Sequence, residues 1–459
     1  MTNDLFWEIP STVDLEKLLK NHPPDFNIKI DHFYYIVDYL WNAMVYNDLD
    51  ENDGFVNMHA ARHQKVNRNY SKYRDYLLKY RLIRTDKKYV PDKKSFGFQL
   101  NIKDSSDIYI VRIPIKDWTI RRHMIGELKE QNESFKRTQQ DYQFLSKWFN
   151  ELLEIDVERA RQEALRQYPI LTGPIRGKLK RKASNREKRM KAEYLIDKIS
   201  KKQFSYSIDE NVGRFHSNLT NLKKEIRNYI SYNGQKLVNI DIKNSQPLFS
   251  TLLFNKDFYN QKGLFTLSFI PSHSILLSNS HHSPSSITIM IVKVLEKYGN
   301  QDIGTYINMV NSGSFYEKIS KLMYPNEVVN KEKVKPMIFT VFFSNNRYMG
   351  QPKAKPKRRF KEVLPYTYEV FRLIKLCNHT ALSRILQKIE SIIMIQNVVP
   401  RIANEKPNLP IFTIHDSVVT TVGNEEYVKT VILEEIKRIT GLTAKVGIEY
   451  WGKEIDTGM

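Results

Sequence analysis

Cysteine is nearly absent. The 459 residues hold one, Cys377, which excludes an internal disulfide framework and a cysteine-built zinc site. No run of about 18 apolar residues occurs, so no membrane-spanning helix is expected. The opening stretch, MTNDLFWEIPST, has no basic segment leading into an apolar one, so no secretory signal is read. The setting expected from these absences is reducing and cytoplasmic. Acidic residues are scarce: Asp+Glu 51 against Lys+Arg 72 leaves a net charge of +21. Hydrophobic residues at 41% and aromatics at 12% exclude a disordered chain. At roughly 150 residues per domain the length allows about three domains, and no internal repeat is seen. An excess of positive charge this large points to a polyanionic partner, nucleic acid first.

The charge is clustered. Residues 176 to 191, RGKLKRKASNREKRMK, hold nine cations against one acid, Glu187. Lys180, Arg181 and Lys182 at their centre are candidate phosphate contacts. Residues 347 to 361, RYMGQPKAKPKRRFK, hold seven cations and no acid, and their prolines predict a loop. Residues 271 to 286 are Ser/His/Pro-rich and read as a surface loop, in which His281 and His282 form a weak metal candidate. An Asp-x-Glu pair at Asp14 and Glu16 reads as a helix start, capped by Ser11 or Thr12, rather than as part of a nuclease.

The first 105 residues form a separate unit of pattern. DHFYYIVDYLWNAMVYND has helical apolar spacing, a second helix lies near VNMHAARHQKV, and a third spans NRNYSKYRDYLLKYRLI. Two short strands, IRTDKKYV and SFGFQLN, follow around PDKK. Three helices and then a hairpin resemble a winged helix, a module that reads DNA with its third helix or serves as a protein adaptor. Arg68, Lys72, Arg74 and Lys79 favour DNA.

The chemistry is read further on. In KLVNIDIKNSQPLFSTLL a short strand runs into Asp241 and then a helix. In LPIFTIHDSVVTTV a β-branched stretch meets His415 and Asp416 and turns back, a hairpin with an acid at its tip. A carboxylate at the mouth of a buried strand is costly unless it meets a cation. Two of them suggest a shared divalent site, since Mg²⁺ takes one or two carboxylates plus substrate phosphates. Between them, Lys331, Lys335, Phe339 and Phe343 recur every four residues, a cationic and aromatic helix stripe suited to a triphosphate and a base.

Taken in order, these pieces resemble the DNA polymerase I family (family A) and the related single-subunit phage-type RNA polymerases, over about residues 210 to 459. Asp241 matches the metal-binding Asp of motif A. Lys331-x3-Lys335-x3-Phe339-x3-Phe343-Ser344 is similar to the Arg-x3-Lys-x3-aromatic-x3-Tyr-Gly helix of motif B. His415 and Asp416 match motif C. GRFHSNLTNL, with Arg214 and Asn221, resembles the segment that follows the template–primer duplex. LQKIES, with Gln387, falls where the family has a Gln-bearing helix, and GLTAKVGIEYWGKE resembles the closing palm strand. The departures are Lys331 for Arg, Phe343-Ser344 for Tyr-Gly, and Ser417 after His-Asp.

The resemblance implies an α+β right-hand polymerase with an antiparallel palm sheet and helical fingers and thumb. Its expected parts are an N-terminal winged-helix-like module at 1–105, a helical thumb or template-grip region at 106–212 and a palm-and-fingers core at 213–459. It implies two Mg²⁺ ions, with Mn²⁺ as a substitute, held by Asp241, Asp416 and the backbone carbonyl of Ile242. Lys331, Lys335, Phe339 and Phe343 would meet the incoming nucleotide. Arg214, Asn221, Gln387 and His415 would meet nucleic acid. Five residues after Asp241 stands Gln246, where DNA polymerases place a Glu that crowds the sugar 2′ position, so dNTPs are the expected substrates. The expected partners are a DNA template–primer, with an RNA template as the alternative, and protein partners through the N-terminal module. The alternatives are an RNA polymerase or primase, and a non-catalytic nucleic-acid-binding protein.

Overall fold

A computed structural model of the chain describes residues 5–46, 55–89, 95–101, 109–169, 185–269, 284–299, 301–326, 331–376 and 378–452. Lys180, Arg181, Lys182, His281 and His282 lie outside the described residues. The chain is a mixed α/β protein whose described strand pairings are all antiparallel. None of the helices described is long and apolar enough to cross a membrane. Two compact units divide it. One comprises Met1–Asp141, Ile155–Phe204 and Asn221–Tyr229; the other comprises Tyr142–Glu154, Ser205–Thr220 and Ile230–Met459.

In the first unit, α1 (Ile30–Tyr46) buries Phe33, Ile36, Val37, Leu40, Trp41 and Met44, which recur every three or four residues. After it come β1 (Val56–Asn57), α2 (Ala60–Val66), α3 (Tyr70–Lys79), β2 (Ile83–Thr85) and β3 (Gly97–Leu100). The strands pair in the order β1, β3, β2. Two-residue β1, between α1 and α2, carries too little alternation to be read from sequence. A separate ribbon pairs Phe6–Pro10 with Ile110–Pro114. The helix after Asp14 is capped by that residue, not by Ser11 or Thr12: Asp14 Oδ1 accepts the N–H of Lys17 at 2.9 Å.

Asp38, on α1, is buried, and its oxygens accept from the Glu8 N–H and the Asn42 amide, each at 2.9 Å. Desolvation outweighs those bonds and pushes its carboxyl up to about 7 from an ordinary 3.8. A raised carboxyl contributes its full stability below the unfolded value and loses it as pH rises through the folded one. Denaturant unfolding should therefore show stability falling between about pH 4 and pH 7. Asp38→Asn, which keeps both acceptor and shape on the Glu8 side, should flatten that fall. The gain at pH 8 should be about 4 kcal/mol at most, from 1.36 kcal/mol per pKa unit. Parallel pH profiles for wild type and variant would remove Asp38 from the account.

The second unit is built on a sheet of β4 (Leu153–Ile155), β5 (Ile230–Tyr232), β6 (Gln235–Ile242), β7 (Ile411–Ile414), β8 (Ser417–Thr421) and β9 (Val446–Tyr450). Its order is β7, β8, β6, β5, β4, with β9 also paired to β6. Strand β6 is central because Val238, Ile240 and Ile242 on one face are all buried, whereas Asn239 and Asp241 share the other. Helices Ala381–Ile393 and Glu425–Thr440 bury apolar stripes, Leu382, Ile385, Leu386 and Ile389 on the first, Val428, Val431, Ile432 and Ile436 on the second. The cationic stretch 347–361 is not a loop. Two short 3₁₀ turns, Asn346–Gly350 and Pro352–Ala354, lead into a helix, Lys355–Val363. Pro356 sits in that helix's first turn, where no N–H is needed.

Candidate active site

The hairpin of β7 and β8 and the end of β6 bring the two acids together. Asp241 pairs in register with Ser417, and the Ile242 N–H points to the Asp416 carbonyl at 3.4 Å. The hairpin tip is two residues long. His415 holds a left-handed φ of 56°, a conformation that Asn, Asp and His tolerate best. Asn244, at the exit of β6, has φ 58°. Both strand exits are thus bent sharply beside the acids, and sparsely populated backbone of this kind clusters at functional sites.

The Asp416 carboxylate is close enough to perturb Asp241. Burial, then the Asp416 charge, pushes Asp241 up to about 7, while the Lys335 ammonium pulls it back. Ser245 Oγ donates to Asp416 Oδ2. Lys335 comes from α4 (Lys331–Phe343), with its Nζ 5.6 Å from the ring centre of Phe339. Phe339 and Phe343 stand one turn apart on the same face, ring centres 5.3 Å apart. Two buried lysines hold the end of this helix. Lys375 Nζ donates to the Val341 carbonyl at 2.7 Å and Lys357 Nζ to the Asn345 carbonyl at 2.8 Å. Cations there also complement the helix dipole. Burial pushes Lys375 down to about 7.

A cavity of 350 Å³ joins these groups. Asp241, Ile242, Gln246, Lys335, Phe339, Phe343, Arg214, Gln387, His415 and Asp416 all line it. Asn221 does not; it ends the short helix Asn218–Asn221. Lys331 opens α4, one turn before Lys335. The cavity also brings in Glu390 and Tyr316, neither of which stands out in the sequence. Glu390 is 1% exposed. Its two oxygens accept from Arg214 Nη2 and from Gln246 Nε2, the latter at 2.8 Å. Burial nevertheless pushes it up to about 7. The neighbouring Ser391 Oγ donates to the Gly213 carbonyl. Gly213 has φ 74°, and a Cβ there would meet Ser391 Oγ and Lys388 Nζ at 3.0 Å, so glycine is required. One helix turn therefore fixes both Arg214 and Gln246. The only sequence signal for Glu390 is its place three residues after Gln387. Gln246 lies inside a short helix, Ser245–Ser250.

Among the described residues no group of three or more His, Cys, Asp or Glu is placed to cage a metal ion. A cation bound by this pair must take further ligands from substrate or water. The first unit holds a larger cleft of 740 Å³. Its three acids are already engaged, Glu8 by Tyr194, Lys198 and Arg112, Glu193 by Arg189 and Asp197 by Lys201, so it offers no comparable concentration of free carboxylate.

No protein-family model matches the chain, and no curated protein matches it. Among solved structures, the POL domain of Pol1 from M. smegmatis in complex with DNA primer-template and dNTP is similar to it. That likeness covers 67% of this chain and 68% of that one, at 10% identity and a TM-score of 0.33. The functional reading rests on the geometry of the site.

Proposed function

We propose that the chain is a template-directed nucleotidyltransferase, a family A-like DNA polymerase that extends a primer by two-metal phosphoryl transfer. In this reading the sheet is the palm and α4 belongs to the fingers. The observation that carries it is the meeting of Asp241, near the end of β6, and Asp416, at the tip of the β7–β8 hairpin, with Lys335 in one cavity. Hard oxygen donors crowded until one carboxyl is pushed up suit a hard divalent cation, Mg²⁺ or its substitute Mn²⁺. Asp241, Asp416 and the Ile242 carbonyl would hold it. Bound there, a pair of such ions supplies Lewis-acid activation of a primer hydroxyl and of the triphosphate.

The chain's own residues do the rest. The Lys335 ammonium meets negative charge that grows on the transferring and leaving phosphates. Phe339 and Phe343 offer ring faces to the incoming base and sugar. Arg214, Gln387 and His415 face the primer terminus, Arg214 held by Glu390. The test is extension of a labelled primer on DNA and RNA templates with dNTPs or NTPs. If the chain binds primer–template yet extends it under none of these conditions, the non-catalytic reading stands instead.

Gln246 sets the sugar preference in this reading. Its bulk at the cavity wall, 8% exposed and fixed by Glu390, crowds a 2′-hydroxyl. One observation favours the ribonucleotide alternative: Gln246 Oε1 is buried with no partner among the described residues, and an unpaired acceptor suits a sugar hydroxyl. Gln246→Ala separates the two. Relief of crowding lowers the dNTP/NTP ratio of kcat/KM at least about tenfold, roughly 1.4 kcal/mol of discrimination. Loss of an acceptor for the 2′-hydroxyl raises the ratio and assigns the chain to the RNA polymerase or primase class.

A further inference from the structure

The cleft of 740 Å³ lies wholly in the first unit, and the nucleotidyl-transfer chemistry leaves it unused. One wall is the ribbon. Glu8 and Arg112 stand opposite each other in its register, while the alternate residues Trp7 and Ile9 go to the core. A second wall is the helix Asn185–Ser200. Glu193, Tyr194, Asp197 and Lys198, at steps of one, three and one, form a stripe along it. Lys201, just past that helix, and Arg161, from the helix Val157–Gln167, complete the lining.

The lining changes character from inside to outside. Trp41, Tyr194 and Met190 are buried, and the rings of Trp41 and Tyr194 stand perpendicular with centres 5.9 Å apart. Trp41 is 1% exposed, and its Nε1 has no hydrogen-bond partner among the described residues. A buried donor in that state carries a desolvation cost that an acceptor would remove. By contrast, the ring of Tyr109 is 67% exposed. Four cations line the cleft against three acids. Arg112 and Lys198 share the carboxylate of Glu8, at 3.2 and 3.3 Å, so one positive charge is left over there. Arg161 is exposed, and its charge pulls on the Glu193 carboxyl without a close ion pair among the described residues.

We propose that this cleft binds a ribonucleoside 5′-polyphosphate, at a site separate from the cavity of Asp241 and Asp416. Its volume falls within the roughly 300–1,000 Å³ of small-molecule sites. The aromatic rings and Met190 suit a planar base, and the indole N–H donates to a base carbonyl or ring nitrogen. The surplus guanidinium and ammonium groups suit phosphates. Glu193 and Asp197, one helix turn apart, keep lone pairs beyond their ion pairs and accept from sugar hydroxyls, the role that a carboxylate plays toward ribose in dinucleotide sites. Other anions fit less well. A fatty acyl chain would bury its tail among carboxylates, and a bare polyphosphate would leave the indole N–H unpaired. The site stands whether or not the second unit extends primers.

Equilibrium dialysis of the full chain with radiolabelled ATP tests it, in EDTA so that no divalent ion bridges phosphates to Asp241 and Asp416. The wild type should bind ATP with unit stoichiometry and prefer it to dATP several-fold. The double variant Arg161→Ala, Lys201→Ala, both at exposed positions, should bind at least about tenfold more weakly, the scale of a lost charge-assisted contact. Trp41→Phe keeps a ring in the core, deletes the N–H and should weaken binding several-fold. Glu193→Gln should erase the preference for ATP over dATP. Lys335→Met should bind ATP as wild type does. The proposal is overturned if the wild type takes up no ATP, if dATP binds as well, or if the double variant keeps wild-type affinity. Inorganic tripolyphosphate that displaces ATP at equal concentration would reduce the cleft to a general phosphate surface and overturn it. Loss of binding in Lys335→Met would move the nucleotide to the second unit, with the same consequence. Displacement by a short single-stranded oligonucleotide more readily than by unlabelled ATP would assign the cleft to a strand and overturn it as well.

Discussion

Asp241→Asn and Asp416→Asn are each expected to cut nucleotide incorporation by about a thousandfold or more, about 4 kcal/mol of transition-state stabilisation. Folding and binding of primer–template should survive. Asp241 lies near the end of β6 and Asp416 in the hairpin tip beside it, where amide for carboxylate changes charge but hardly shape. What is lost is one of two anionic oxygen donors, and no third His, Cys, Asp or Glu among the described residues stands ready to replace it. Stability gives an independent readout. With no divalent ion present, burial and the Asp416 charge oppose ionisation of Asp241. Removing one of the two like charges should therefore raise resistance to denaturant at pH 8 while activity disappears. A variant that loses activity and stability together would point to general misfolding. Wild-type extension by either variant would take the pair out of the mechanism.

Much of this site is legible in the sequence because its acids end local patterns. Asp241 closes a strand of alternating burial, and Asp416 sits at the tip of two β-branched strands, so strand propensity alone brings each to a turn. Their meeting depends on the antiparallel pairing of β6 with β8, a contact across some 175 residues of sequence that no local signal encodes. The helix stripe of Lys335, Phe339 and Phe343 is legible for the same local reason, since a four-residue step fixes one face. Glu390 is not. It lies on a helix whose apolar residues read as ordinary core, and its importance arises only where Arg214 and Gln246 converge on it from distant segments. The proline-bearing stretch 347–361 reads as a loop because proline breaks a helix interior. Tertiary packing of Lys357 and Phe360, both fully buried, makes it a helix with Pro356 in the one tolerant turn.

Lys335 is the residue whose role the arrangement divides in two. It is exposed at the cavity wall, and its charge lowers the carboxyl of Asp241. A cation in that position stabilises the carboxylates when the site is empty and, on the proposed function, the triphosphate when it is filled. It also competes with any divalent ion for the same negative charge. Lys335→Met therefore has opposite effects on two measurable quantities. Calorimetric titration with Mg²⁺ should give tighter binding, because a competing positive charge is gone. Primer extension at saturating Mg²⁺ and dNTP should show kcat lowered about a hundredfold, roughly 2.7 kcal/mol, the scale on which one preorganised electrostatic contact to a developing charge is worth. Lys335→Arg keeps the charge with a different shape and should fall between the two, since a guanidinium fork is not a point charge. If kcat is instead fully retained in Lys335→Met once Mg²⁺ saturates, the lysine serves only to balance the empty carboxylates. The phosphate-facing role would then pass to another cation, with Lys331, one turn earlier on the same helix, as the first to examine.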